Sequence, residues 1–287
     1  MKLADFSKLI KLRLTFLVVF SASISFLIGS KVNGHIDWMN WLKLIAGGFL
    51  VTAAANCFNE IIEKDLDKLM RRTMDRPIPA GRMTTGQGLV MGLFMAIFGT
   101  YLLGKLNLTA GYLSVFSILL YAFAYTPLKR KSPIAVFVGA IPGALPPLIG
   151  YVAAHPQIDD IALILFGIQF VWQFPHFWAI AWVLDDDYKL AGFRLLPSGK
   201  RDLTSAIFAL VSTIILLPVS LLPTWYGYGG YYVGGVSLIC GIAFLYLALK
   251  LLSDRQIASA KKLMYGSFFY LPVVQLMFLF DFIGKVK

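Results

Sequence analysis

The chain reads as all-α: a polytopic membrane protein with nine transmembrane helices around a central cavity that opens near the cytoplasmic face. Three observations lead there. First, 58% of its 287 residues are hydrophobic and only 14% are charged, with a mean hydropathy of +0.74; a soluble domain carries about 25% charged residues. Second, nine apolar stretches approach the roughly 20 residues a helix needs to cross a bilayer. Third, of 26 Lys and Arg, 21 fall in the N-terminus and the loops after spans two, four, six and eight, against five (Lys31, Lys43, Lys105, Lys285, Lys287) on the other side. Positive loops stay inside, so the N-terminus is expected in the cytoplasm and the C-terminus outside. The net charge of +11 is then a topology signal, and no nucleic-acid partner is expected.

The spans are expected near residues 14–30, 41–61, 88–104, 108–125, 133–153, 161–183, 203–223, 229–252 and 266–284. No A-x-A-like site follows the first apolar run, so it reads as an uncleaved span rather than a signal peptide. Span five contains Ile141 to Pro147, IPGALPP. Proline removes a helix donor and crowds the preceding turn, so this span is either broken around a cavity or kinked and filled by its neighbours. The pairs Gly88/Gly92, Gly139/Gly143 and Gly230/Gly234 read as helix packing. Cys57 and Cys240 fall in or at apolar spans and form no CxxC, which argues against a disulfide framework or a cysteine metal site. No linker or low-complexity tract divides the chain, so residues 1–287 read as one integral-membrane domain.

The chemistry concentrates where span two ends, in NCFNEIIEKDLDKLMRRTMDRPIPAGRM from Asn56 to Met83. If the helix continues, Asn59, Glu63 and Asp67 lie at i, i+4 and i+8 on one face. Stacked carboxylates repel by a few tenths of a kcal/mol per pair, so the pattern has no structural benefit of its own. A divalent cation reverses that sign, and Mg2+ favours one or two carboxylates together with substrate phosphates. Arg71, Arg72 and Arg76 follow, with forks that suit phosphate oxygens. A solvated cytoplasmic loop is the plain alternative. Asn56 and Asn59 weigh against it, because polar groups this deep need partners.

A second acidic cluster, Asp185, Asp186 and Asp187, follows span six on the same expected side. With Asp202 in the same loop, nine of the fifteen carboxylates occupy two inside loops four spans apart, as if two halves faced one cavity. His176, in QFPHFWAIAW, lies about two turns inside span six. It reads either as a hydrogen-bonded interior residue or as a functional intramembrane group.

The order of these segments resembles the intramembrane prenyltransferases of the UbiA superfamily and, within it, the protoheme IX farnesyltransferase branch. The likeness spans roughly residues 5–205 and rests on four places. The first is Asn59, Glu63, Asp65, Asp67, Met70, Arg72, Thr73, Arg76 and Pro77. The second is Tyr125–Arg130 with Gly139–Tyr151. The third is Pro175–Trp182 with Asp186–Pro197, and the weakest is Lys11–Phe20. There are departures: Glu63 stands where many members have Asp, Lys64 where many have Arg, and Leu12 replaces a common proline. No carboxylate follows Asp187 a turn later, where Lys189, Leu190 and Ala191 stand.

The resemblance implies farnesyl transfer from farnesyl diphosphate to a vinyl group of heme B. Mg2+ would be held by Asn59, Glu63 and Asp67, with Asp186 and Asp187 opposite, and these five would be the catalytic residues. Arg72, Arg76, Lys129 and Arg130 would bind the diphosphate. His176, as iron ligand or edge contact, and Arg194, at a propionate, would meet the heme. Phe58, Tyr125, Phe177 and Trp178 are candidates to shelter the allylic cation. The resemblance further implies a heme A synthase or terminal-oxidase assembly as a partner. A quinone or chlorin prenyltransferase would show a fuller second acidic motif. A cation-coupled transporter would place its acids near the midplane.

Overall fold

A computed structural model describes residues 3–284; Lys2, Lys285 and Lys287, counted in the charge bias, lie outside the described residues. Nine helices among the described residues are long and apolar enough to cross a membrane. They are α2 (Leu12–Asn33), α3 (Trp38–Asp67), α4 (Thr85–Leu106), α5 (Leu108–Leu119) with its continuation, α7 (Ala135–Ala154), α8 (Asp160–Leu190), α9 (Leu203–Trp225), α10 (Tyr231–Asp254) and α11 (Ile257–Phe280). Short helices α1 (Leu3–Leu9) and α6 (Thr126–Leu128) complete the set.

Polar side chains start most of these helices. Asp37, Asn107, Asp159 and Asp202 accept backbone N–H groups at N-termini, and Thr84 with Gln87 closes a capping box. Each cap satisfies donors that the first turn leaves over. Two helices outrun their apolar stretches: α3 reaches Asp67 and α8 reaches Leu190. Those extensions carry both acidic clusters. The last span departs most from expectation. It begins at Ile257 rather than near 266, because Lys261 and Lys262 depress the hydropathy of helical residues.

The helices form two groups. α2, α3, α4, α5 and α7 pack around one buried cluster that includes Phe26, Leu44, Leu103 and Tyr151. α8 to α11 pack around a second that includes Trp178, Trp182, Phe244 and Tyr270. α7 touches both α2 and α8 and so joins them. It is one continuous helix despite Pro142, Pro146 and Pro147, so it is not broken, and neighbouring helices pack against it. Pro147 cannot donate to the Gly143 carbonyl, and Gln169 Nε2 of α8 takes that acceptor at 2.7 Å. Close backbone approach is built in too. A Cβ on Gly150 would stand 2.0 Å from the Ala22 carbonyl oxygen of α2.

The loop from Lys68 to Thr84 closes over one end of the bundle. Glu60 Oε1 accepts the Ile78 N–H (3.1 Å), and the Thr73 hydroxyl donates to the Asp67 carbonyl (2.9 Å). α1 lies against this loop. Arg82 pairs with Asp5 (2.8 Å) and Asp75 (2.9 Å), and Lys8 pairs with Asp75.

Candidate active site

α3 carries Asn59, Glu63 and Asp67 at successive turns of one face, and all three are buried. A residue advances about 100° around a helix, so a spacing of four keeps them nearly in line. Each meets a basic group from another segment. Lys11 Nζ donates to Asn59 Oδ1 (2.6 Å), Lys129 Nζ pairs with Glu63 Oε1 (2.5 Å), and Arg76 Nη1 pairs with Asp67 Oδ2 (2.6 Å). Asn59 Nδ2 donates to Glu63 Oε2 (2.8 Å) and to the Thr126 hydroxyl (3.1 Å). Burial lowers the Lys11 amine well below its ordinary value, and Arg76 and Lys129 push the same way. Burial lowers Lys129 as well, against the opposing pull of Glu63. Lys11 holds a left-handed backbone (φ 49, ψ 56) just before α2. A non-glycine residue is strained there, and such strain concentrates at functional sites.

The end of α5 winds into a π-helical segment, Leu120–Tyr125, and α6 follows. Such segments recur at functional sites. Here it brings Tyr121, Tyr125 and Thr126 toward the acids, with the Thr126 hydroxyl donating to the Tyr121 carbonyl (2.8 Å). A Cβ on Gly139 would lie 2.6 Å from the Tyr125 ring, so glycine there lets the ring seat against α7. Lys129 Nζ stands 5.1 Å from the Tyr125 ring centroid and 5.2 Å from that of Phe193.

The three acids of α8 go three ways. Asp185 is buried and pairs with Lys189 (2.6 Å). Asp186 has a side chain 77% exposed and pairs with Arg201 (3.0 Å). Asp187 reaches the loop after α3, where Oδ1 accepts the Arg71 N–H at 2.8 Å. Arg72 lies 5.9 Å over the ring of neighbouring Tyr188. The two acidic segments thus meet at Arg71, and each carries a buried carboxylate oxygen without a hydrogen-bond partner, Asp67 Oδ1 on the first and Asp187 Oδ2 on the second.

Mg2+ takes oxygen ligands and commonly needs only one or two carboxylates beside substrate phosphates. Two unpartnered carboxylate oxygens from facing segments fit that demand. Among the described residues, no three His, Cys, Asp or Glu side chains gather closely enough to hold a metal alone.

Several of the expected residues lie apart from these ion pairs. Asp186, expected beside Asp187, turns to the exposed flank, because consecutive helix residues diverge by about 100°. Arg130 is exposed and forms no side-chain bond among the described residues, while its neighbour Lys129 is buried. Arg194 is exposed and joins the site through its backbone N–H, which donates to the Lys129 carbonyl (3.1 Å). It is not brought to His176, which is buried between α8 and α11 and stacks on Trp172 at 4.4 Å. Of the four candidate aromatics, only Tyr125 stands at the ion pairs. Trp178 packs with Phe174 and Phe208, and Phe177 lies against His176. Phe58 lines an apolar hollow of about 560 Å³ between α3, α4 and α5, on the opposite flank of α3 from its acids.

Sequence reasoning missed roles for Lys11, Tyr121, Thr126 and Tyr188. The signals were there: a lysine immediately before the first span, two tyrosines a turn apart, and a tyrosine directly after the three aspartates.

One more alignment follows from α8. At about 100° per residue, Gln169, Gln173, His176 and Asp187 fall on one face. Gln169 marks it as an inner face, because Gln169 Oε1 accepts from Ser21 of α2 (2.6 Å) and Gln275 of α11 (3.0 Å).

Known proteins resemble this chain over nearly its full length. A protoheme IX farnesyltransferase of Cytophaga hutchinsonii is 44% identical over 276 residues, covering 96% of each chain. One of Christiangramia forsetii is 41% identical over 283 residues, covering 97% of this chain and 93% of its own. Among solved structures, a digeranylgeranylglyceryl phosphate synthase superposes with a TM-score of 0.80 at 22% identity, covering 97% of this chain and 98% of that one. A UbiA homolog from Archaeoglobus fulgidus bound to GPP and Mg2+ does so with 0.63 at 10%, covering 96% and 99%. Residues 18–273 match the UbiA prenyltransferase family, and the chain belongs to that family of membrane enzymes.

Proposed function

We propose that this enzyme transfers the farnesyl group of farnesyl diphosphate to a vinyl group of heme B, giving heme O. The full-length likeness to protoheme IX farnesyltransferases supports the acceptor. The observation that carries the mechanism is the junction of Asp187 with the Arg71 N–H beside the buried acids of α3.

The allylic C–O bond breaks, and its electron pair leaves with the diphosphate. The vinyl π electrons form the new C–C bond. The cation left on the vinyl carbon beside the ring takes hydroxide from water, and one proton is released. The products are the hydroxyethylfarnesyl heme and diphosphate.

Asp67 and Asp187, with Asn59 and Glu63 around them, would hold Mg2+, which neutralises leaving-group charge when bound. Lys11, Arg72, Arg76 and Lys129 supply further positive charge to the diphosphate, and Arg130 adds to the field at the mouth. The Tyr125 face offers about 0.5–2 kcal/mol of stabilisation to a nearby cation. His176 and Arg194 remain the heme contacts we propose. The chain acts as one unit in a bacterial inner membrane, with the N-terminus cytoplasmic.

The test is incubation of the purified protein with heme B, farnesyl diphosphate and Mg2+, followed by mass-resolved chromatography. Heme O is expected. Its absence, with product formed from a quinone precursor instead, would move the assignment to another acceptor. Orientation is checked by cysteine labelling at position 75, which is expected to react from the cytoplasmic side.

A further inference from the structure

We infer that Ser267 is a positioning residue that holds His176 with its Nε2 lone pair free to meet the iron of the heme acceptor. The inference rests on the heme reading above. The Ser267 hydroxyl donates to the Met264 carbonyl at 2.5 Å and also lies 2.7 Å from His176 Nδ1. A hydroxyl has one hydrogen and two lone pairs. That hydrogen is spent on Met264, so toward the ring the oxygen accepts, and Nδ1 carries the imidazole proton. In the neutral ring the other nitrogen is then the acceptor. No described residue bonds Nε2.

The ring is fixed in plane as well as in tautomer. Trp172 stacks on it at 4.4 Å with 16° between planes, and Phe268 meets it edge-on at 5.2 Å. The Trp172 Nε1–H donates to the Ser267 carbonyl (3.0 Å), so the stacking ring is anchored on the same residue. A metal-binding histidine is held this way, by an oxygen partner on the nitrogen that does not ligate. His176 also shares the inner face of α8 with Asp187 and lies eleven residues, about 16 Å along the axis, further into the bundle. That places an acceptor inside the bundle and the diphosphate at its mouth. The serine bond to a carbonyl three residues back is ordinary helix behaviour. The second bond, to Nδ1, carries the inference.

The experiment is hemin titration of the purified wild type and of His176→Ala, Ser267→Ala and Ser267→Thr, read by the Soret band, with each protein also assayed for farnesylated heme. Wild type is expected to show a band that His176→Ala loses. Ser267→Ala should bind hemin about 10–100-fold more weakly with a shifted band, and Ser267→Thr, which keeps the hydroxyl, should restore both. Because position 267 is fully buried, a second arm avoids the threonine: Ser267→Ala placed on His176→Ala should add nothing further. A wild-type band in Ser267→Ala, or losses that add in the double variant, overturns the inference. A wild type that makes heme O but whose band His176→Ala leaves unchanged also overturns it. A wild type that makes no heme O removes the proposed function instead.

Discussion

The acids of α3 and of α8 serve one junction by different geometry. On α3 the acids Glu63 and Asp67 are spaced by four and share a face with the amide Asn59, and Lys129, Arg76 and Lys11 hold the three in place. On α8 they are consecutive, so they fan around the helix and only Asp187 touches the opposite segment. Periodicity, not the number of acids, decides how many reach the site. The comparison ranks the acids by effect, and substitutions test the ranking.

The largest effect is expected at Asp67. Asp67→Asn removes the charge that faces Arg76 and one of the two unpartnered oxygens. Heme O formation should fall about 10²–10³-fold, the scale seen when one preorganised electrostatic group is lost. Folding should suffer too, since a buried pair that loses one partner costs roughly 3–5 kcal/mol. Normal turnover with an unchanged Mg2+ requirement would take Asp67 out of the site and break the comparison.

Asp187→Asn comes next, with a fall of about 10–100-fold in kcat and a higher Mg2+ requirement. The Arg71 N–H keeps an oxygen acceptor in the variant, so the loop should remain docked. Charge is then tested apart from structure. An unchanged Mg2+ titration would assign Asp187 to loop anchoring alone.

Asp186→Asn sharpens the contrast from the other direction. Its exposed pairing with Arg201 is worth about 0–1 kcal/mol, so kcat should stay within about twofold of wild type. A loss comparable to that of Asp187→Asn would mean that the acidic segment acts as a block and that the fan-out is irrelevant.

How much of this is legible in sequence follows from what hydropathy and periodicity encode. The bilayer demands long apolar helices, so the nine spans stand out. It demands nothing where helices outrun it, so the ends of α3 and α8 and the start of α11 are blurred. The Asn59–Glu63–Asp67 face is visible because it depends on one helix. The partners of that face come from Lys11, Arg76 and Lys129, brought in by backbone turns. Neither the left-handed turn at Lys11 nor the π segment before Thr126 has a residue pattern that announces it. α7 shows the same boundary from the other side. Its prolines are visible, but the donor for the freed Gly143 carbonyl is Gln169 Nε2 on α8.

The smallest effect belongs to Asp202, a carboxylate of the same loop with no place at the junction. It caps α9, accepting the Ser205 N–H at 3.0 Å and the Ser198 hydroxyl at 2.7 Å. These bonds, the backbone N–H foremost, hold its carboxyl below the ordinary 3.8. A depressed carboxylate stabilises the fold above its unfolded value, and the benefit disappears as pH falls below 3.8 toward the folded value. Asp202→Ala should therefore cost about 1 kcal/mol of stability near neutrality, and the gap in melting temperature from wild type should narrow on acidification. Heme O formation at neutral pH should be unchanged. If Asp202→Ala instead cut kcat as Asp187→Asn does, proximity in sequence rather than helical phase would set which acids matter, and the contrast between α3 and α8 would lose its meaning.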